Sequence, residues 1–164
     1  MPFTWSNSLI TTYEMTVLLL DAKKIVELGT GPGLSGNIFC KTLKKTGGIL
    51  YSVDLIMQNC QNTVERLKQS YDNFVFIQGD SIEVAQTWDK GDIDILLCDS
   101  DHAYERVYGE LKAWTKFNPK IIFIHDTFLD DRLLDPYYAA KTWAEEHGRT
   151  FLNHNWQNGL GIII

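Results

Sequence analysis

Five short apolar runs constrain this chain more than anything else in it. They lie at 23–28, 49–55, 73–80, 93–99 and 120–126, and a helical pattern fills each gap, at 34–46, 59–71, 81–88 and 103–116. Strands and helices alternating at this spacing predict a parallel sheet between two helical layers. A last helix at 136–148 ends at Gly148, and "TFLNHNW" and "GLGIII" then read as two strands joined by a turn at Gln157-Asn158-Gly159. With no helix between them, those two predict an antiparallel closing pair. The expected class is α/β, a Rossmann-like doubly wound sheet, mostly parallel with an antiparallel C-terminal strand pair. The 164 residues suit a single domain over 1–164.

In such sheets ligands sit beyond the carboxyl ends of the strands, near the switch in strand order. Here every apolar run finishes in an acid: Glu27, Asp54, Asp80, Asp99 and Asp126. Charge at the end of a buried strand is costly and calls for a reason. The net charge of −6 and the lack of any basic cluster argue against nucleic acid as a partner. "TVLLL" is too short for a membrane span, and no basic n-region precedes it, so no membrane role is expected and a cytoplasmic location is. Cys40, Cys60 and Cys98 are too widely spaced for a metal knuckle and are expected to be reduced, buried thiols.

The first tip, "VELGTGPGLSG" (26–36), is a strand, a glycine turn and a helix start. Gly31, Gly33 and Gly36 match the G-x-G-x-x-G of dinucleotide enzymes, a weak signal alone. Glu27, Gly29, Gly31 and Gly33 match an acidic E-x-G-x-G-x-G loop instead. The second fits better, because a carboxylate at the strand tip would repel a pyrophosphate and suits a cationic ligand. Asp54, at the second tip, can accept both hydroxyls of a ribose. Asp80 either accepts an adenine amino group or caps the helix at 81–88.

On these residues the chain resembles the class I S-adenosylmethionine-dependent methyltransferases along essentially its whole length. "DILLCDSDHAYERVYGELKAW" followed by "IIFIHDT" narrows the resemblance to metal-dependent small-molecule O-methyltransferases. These are related to macrolide-sugar methyltransferases and cephalosporin-hydroxylase-like proteins. The resemblance assigns Glu27, Gly29, Thr30, Gly31, Gly33, Asp54, Leu55, Asp80, Ser81 and Asp99 to S-adenosylmethionine. It assigns Asp99 and Asp126 to a divalent cation, and His102 to removal of a proton from a hydroxylated small-molecule acceptor. Tips of adjacent strands lie about 4.8 Å apart and can share one ion. Carboxylates suit Mg²⁺, Mn²⁺ or Ca²⁺, with Mg²⁺ favoured. His125 is a ligand in place of an acid, a hydrogen-bond partner, or turned away, since neighbours in a strand alternate faces.

The rivals are a nicotinamide-dependent oxidoreductase and a non-catalytic nucleotide-binding subunit. Asp101 reads as the cap of the helix at 103–116. Asp135 as N-cap with Pro136 at the first helical position explains "DPYY" without an N-methylation role. Trp88, Trp114 and Trp143 read as core. Trp5, Tyr13, Phe128, Tyr137 and Tyr138 are expected around the pocket, and "TFLDDRLLD" (127–135) reads as a mobile substrate loop. The short loop predicts no large lid, unless a second subunit of a homo-oligomer covers the pocket.

Overall fold

A computed structural model describes residues 7–164; Trp5 lies outside the described residues. Helix α1 (Asn7–Leu19) leads into β1 (Lys24–Leu28), α2 (Leu34–Thr46), β2 (Ile49–Asp54), α3 (Met57–Ser70) and β3 (Phe74–Gln78). Then come α4 (Ser81–Gln86), β4 (Ile95–Cys98), α5 (Tyr104–Trp114), a 3₁₀ turn at Thr115–Phe117 and β5 (Ile121–His125). A hairpin of β6 (Phe128–Leu129) and β7 (Arg132–Leu133), helix α6 (Asp135–Glu146), β8 (Phe151–His154) and β9 (Leu160–Ile163) complete the order.

The main sheet runs β3-β2-β1-β4-β5-β9-β8. The first five strands are parallel, and β9 pairs antiparallel with both β5 and β8. The expected doubly wound sheet and its antiparallel closing pair are both present. Every residue of β4 is buried, which is why it reads as an unbroken apolar run rather than an alternation. One face packs against α1, α2 and α3 through Tyr13, Phe39, Leu43 and Leu67. The other packs against α4, α5 and α6 through Ala85, Val107, Leu111, Trp114 and Trp143. Trp88, half-buried, meets Tyr51 and Trp114 edge-on, so all three expected core tryptophans are in the core. Cys40, Cys60 and Cys98 are free and buried. Among the described residues no helix is long and apolar enough to cross a membrane.

One helix is added to the expected elements, and several local expectations change. Helix α1 is not apparent in the sequence, because Ile10, Met15, Leu18 and Leu19 blur the buried stripe of Leu9, Tyr13 and Val17. Tyr13 is fully buried between Phe39 and Phe123 rather than on a pocket wall. Within the segment 127–135, expected to be a substrate loop, residues 128–133 form the β6–β7 hairpin, its tip made by Asp130 and Asp131 with positive φ, and Asp135 already belongs to α6. The N-cap of α6 is Leu134, without a side-chain cap, and Asp135 is the first helical residue. Its carboxylate instead accepts the Tyr104 backbone N–H at 3.4 Å. Tyr137 packs on Phe151, and Tyr138 is exposed.

Trp114 is fully buried and donates its indole N–H to the Ser81 carbonyl at 2.9 Å. Trp114→Ala is expected to lower unfolding free energy by about 3–5 kcal/mol in urea melts. A loss below about 1 kcal/mol would mean that this face of the sheet repacks without it.

Candidate active site

The crossovers from β1 and β4 leave on opposite faces of the sheet, so a crevice opens between the two tips. The tips themselves touch. Asp99 N–H donates to the Leu28 carbonyl at 2.9 Å, and Gly29 N–H donates to the Val53 carbonyl at 2.8 Å. Gly29 has φ +94°, and a Cβ there would lie 2.1 Å from the Asp99 carbonyl oxygen. Only glycine permits this approach. On one side lies a cleft of about 250 Å³ lined by Asp54, Leu55, Asp80, Ser81, Asp101 and Arg106. On the other lies a cleft of about 260 Å³ lined by the loop from Gly29 to Ser35 and by Asp99, His102, His125, Asp126 and Asn158. Gly29 and Ser100 border both. Joined, the two reach the size of a small-molecule site, ~300–1,000 Å³.

In the first cleft Asp54 Oδ2 accepts the Thr30 N–H at 2.9 Å and Oδ1 accepts the Ile56 N–H at 3.2 Å. These bonds aim the carboxylate from the β2 tip across the glycine loop. Of the two readings for Asp80, the cap is made: Oδ1 accepts the Ile82 and Glu83 N–H groups. Its other oxygen holds the Arg106 guanidinium at 2.7 Å, and this pairing is what first lowers the Asp80 pKa. Arg106 also donates to Ser81 Oγ at 2.7 Å and lies 3.4 Å from Glu110. Glu110 is fully buried, and one of its oxygens accepts both the Ser81 and Ser100 hydroxyls. This network was not anticipated. Its signal was present, because Glu110 falls in the stripe of Val107, Leu111 and Trp114, where a carboxylate needs partners.

Glu27 lines neither cleft. It is fully buried, accepting the Ser35 hydroxyl on one oxygen and the Ser52 hydroxyl on the other at 2.6 Å. Burial pushes its carboxyl up to about 7 against those two hydrogen bonds. Thr30 shares a hydrogen bond with Ser52 at 2.8 Å, tying the glycine loop to the same buried group.

The second cleft gathers the fourth and fifth tips. His125 Nδ1 lies 3.3 Å from Asp99 Oδ1 and 3.2 Å from Asp126 Oδ1. His102 Nε2 lies 3.1 Å from Asp126 Oδ2. Two neighbours at a strand end reach the same cluster because Asp126 has φ +53°. That left-handed turn breaks the alternation of faces, and Asp tolerates it better than most residues. Burial opposes a charge on His125, yet hydrogen bonds to Asp126 and Asp99 outweigh it and lift the imidazole to about 10. Burial opposes a charge on Asp126 as well, here by raising its pKa, but His102 and His125 hold it well below the usual carboxylate range. Burial raises Asp99. The Asp126 hydrogen bond raises His102, whose side chain is half exposed. Asp99, His125 and Asp126 each offer one donor atom, all within 4.8 Å of one another, a set that fits a metal ion. Asp101 does not cap α5; its carboxylate closes the preceding turn on the Ala103 N–H at 2.8 Å. Asn158 lines this cleft and its carbonyl accepts the Phe128 N–H at 2.8 Å, while Phe128, expected around the pocket, lines neither cleft.

A family model described as a methyltransferase domain matches residues 26–127. No curated protein matches the chain by sequence. Several solved structures share the fold. The O-methyltransferase TomG of Streptomyces achromogenes, involved in tomaymycin synthesis and solved with S-adenosylmethionine, has TM-score 0.77 at 14% identity, covering 98% of this chain and 81% of that one. An O-methyltransferase of Bacillus cereus solved with S-adenosylhomocysteine has TM-score 0.76 at 14% identity, covering 100% and 84%. The S-adenosylhomocysteine-bound methyltransferase PaMTH1 of Podospora anserina has TM-score 0.74 at 16% identity, covering 98% and 79%.

The raised carboxyl of Glu27 makes a testable claim about stability. Folding holds its proton more tightly than the unfolded chain does, so this group's cost is absent below pH ~4.5, grows as pH rises, and is complete above about 7. Glu27→Gln lacks that cost. Urea melts from pH 5 to 8 should therefore show the variant gaining on the wild type by up to about 3 kcal/mol. A difference that does not change with pH would mean that Glu27 ionises normally in the folded chain.

Proposed function

The chain belongs to a methyltransferase-domain family, and from that premise we propose that it moves a methyl group from S-adenosylmethionine to a hydroxyl of a small molecule. The observation that carries the reading is the pair of clefts meeting at Gly29 and Ser100, one edged by Asp54 and the other by the His102–Asp126 pair. The first suits a nucleoside, with Asp54 accepting the ribose hydroxyls and Leu55 and Arg106 walling the base. The glycine loop lets a ligand pass close to the backbone into the second cleft. A nicotinamide reading is not favoured, because the loop rests on a carboxylate where a pyrophosphate would need a helix N-terminus free of negative charge.

His102 is suited to take the acceptor's proton. When Nε2–H donates to Asp126, Nδ1 is left with the lone pair that accepts it, and Asp126 steadies the imidazolium that results. The oxygen freed of its proton attacks the methyl carbon, and the carbon–sulfur bond breaks in the same displacement, leaving S-adenosylhomocysteine. The donor set of Asp99, His125 and Asp126 supports a divalent cation as in metal-dependent O-methyltransferases. Such an ion supplies Lewis acidity that lowers the pKa of a hydroxyl. The chain's contribution is orientation: both reacting groups are held at tips of adjacent strands.

Calorimetric titration with S-adenosylhomocysteine is the test. The wild type is expected to bind, and Asp54→Ala to raise Kd at least ~10-fold, about 1.4 kcal/mol. No binding to the folded wild type overturns the reading. With an acceptor found by screening hydroxylated compounds, His102→Gln is expected to lower kcat by ~10²–10⁴ while leaving that Kd unchanged.

A further inference from the structure

We propose that His125 makes this site select a transition-metal ion of the Mn²⁺, Co²⁺ and Zn²⁺ kind over Mg²⁺. The inference rests on the methyl-transfer reading only for its purpose; the selectivity itself comes from the donors. Two of the three are carboxylate oxygens, which any hard divalent cation accepts. The third is an imidazole nitrogen, and it is not peripheral. His125 is 5% exposed and ends a strand paired on both sides, with Ile124 on Cys98 and His125 itself on Leu160. Its ring has no solvent to withdraw into. Nδ1 stands 3.3 Å and 3.2 Å from the two carboxylate oxygens. Adjacent ligands on one ion with bonds near 2.1 Å lie about 3.0–3.4 Å apart, for octahedral and tetrahedral arrangements alike. The two separations from Nδ1 fall in that range, and all three donors lie within 4.8 Å of one another.

The chemistry then separates the ions. Mg²⁺ demands near-ideal octahedral oxygen coordination, gives up water reluctantly, and gains little from an imidazole. Imidazole suits the later divalent ions, whose affinity at a mixed nitrogen and oxygen site rises from Mn²⁺ through Co²⁺. A Mg²⁺ ion at this cluster would have two protein ligands and a buried imidazole crowding its hydration shell. A Mn²⁺ or Co²⁺ ion would have three. An aspartate at 125 would restore an all-oxygen set and remove the preference. Asp126, turned into the cluster by its left-handed backbone, keeps its own oxygen available in either case.

Mn²⁺ binding to the full chain, followed by electron paramagnetic resonance with Mg²⁺ and Co²⁺ as competitors, tests the proposal. Expected are at least ~10-fold tighter binding of Mn²⁺ than of Mg²⁺, tighter binding still of Co²⁺, and spin-echo modulation of bound Mn²⁺ by one nitrogen. That modulation should vanish in His125→Asp, where the Mn²⁺ to Mg²⁺ ratio should fall to within ~3-fold. It should persist in His102→Gln, a half-exposed position that leaves the fold intact and distinguishes the two imidazoles should His125→Asp fail to fold. Equal wild-type affinities for Mg²⁺ and Mn²⁺, absence of nitrogen modulation, or its loss in His102→Gln each overturn the proposal. Binding of S-adenosylhomocysteine with no metal binding overturns the ion inference alone. Selective Mn²⁺ binding with no S-adenosylhomocysteine binding supports it and overturns methyl transfer.

Discussion

The face that carries both clefts depends on one buried carboxylate. Glu27 sits at the tip of β1 with no contact to solvent, where an ionisable group is tolerated only if its oxygens are engaged. The Ser35 hydroxyl comes from the first turn of α2 and the Ser52 hydroxyl from β2, so one side chain fastens a helix, a neighbouring strand and the loop between them. Thr30 joins through Ser52, and Asp54 holds the Thr30 amide from above. The loop is therefore held from below by a buried acid and from above by a half-exposed one. On the side where β4 arrives, Gly29 leaves the room that the Asp99 carbonyl fills.

Much of this was legible in the sequence because the relevant signals are local. The strands are apolar runs, the crossovers are helical, and each run stops at an acid; those three facts give the sheet and point to Glu27, Asp54, Asp80, Asp99 and Asp126. What was not legible depends on tertiary context. Helix α1 hides because exposed Met15 and Leu19 are as apolar as buried Leu9 and Val17. Arg106 and Glu110 stand four residues apart, the spacing of an ordinary surface pair on a helix, and only the packing of α5 against α4 buries one of them. His125 was ambiguous for a sharper reason. Strand alternation would turn it away from Asp126, and a single left-handed residue at the strand end reverses that outcome.

The electrostatics of the second cleft follow from the same crowding. Asp99 and Asp126 are held together by the His125 imidazole, with His102 paired to Asp126 as well, in a poorly hydrated place, so each charge is set by its neighbours more than by its own chemistry. Asp126 stays ionised because it faces both rings, while Asp99 faces one and is drawn toward its neutral form. The first cleft carries an opposite design. There Arg106 neutralises Asp80 and stands against Glu110, and the surface presented to a ligand is a wall of satisfied groups with Asp54 as its main acceptor.

The burial of all three thiols has a practical consequence. Cys40, Cys60 and Cys98 are sealed in the core, and desolvation pushes each above its ordinary range, Cys40 up to about 12. Thiolate is the reactive form, so alkylating reagents at neutral pH have almost nothing to find on the native chain. A cysteine introduced on the exposed β6–β7 hairpin, at Leu129 for instance, would then be the one position a fluorophore or spin label attaches to. The hairpin that bonds Asn158 of the second cleft would be observed in a background that is already silent.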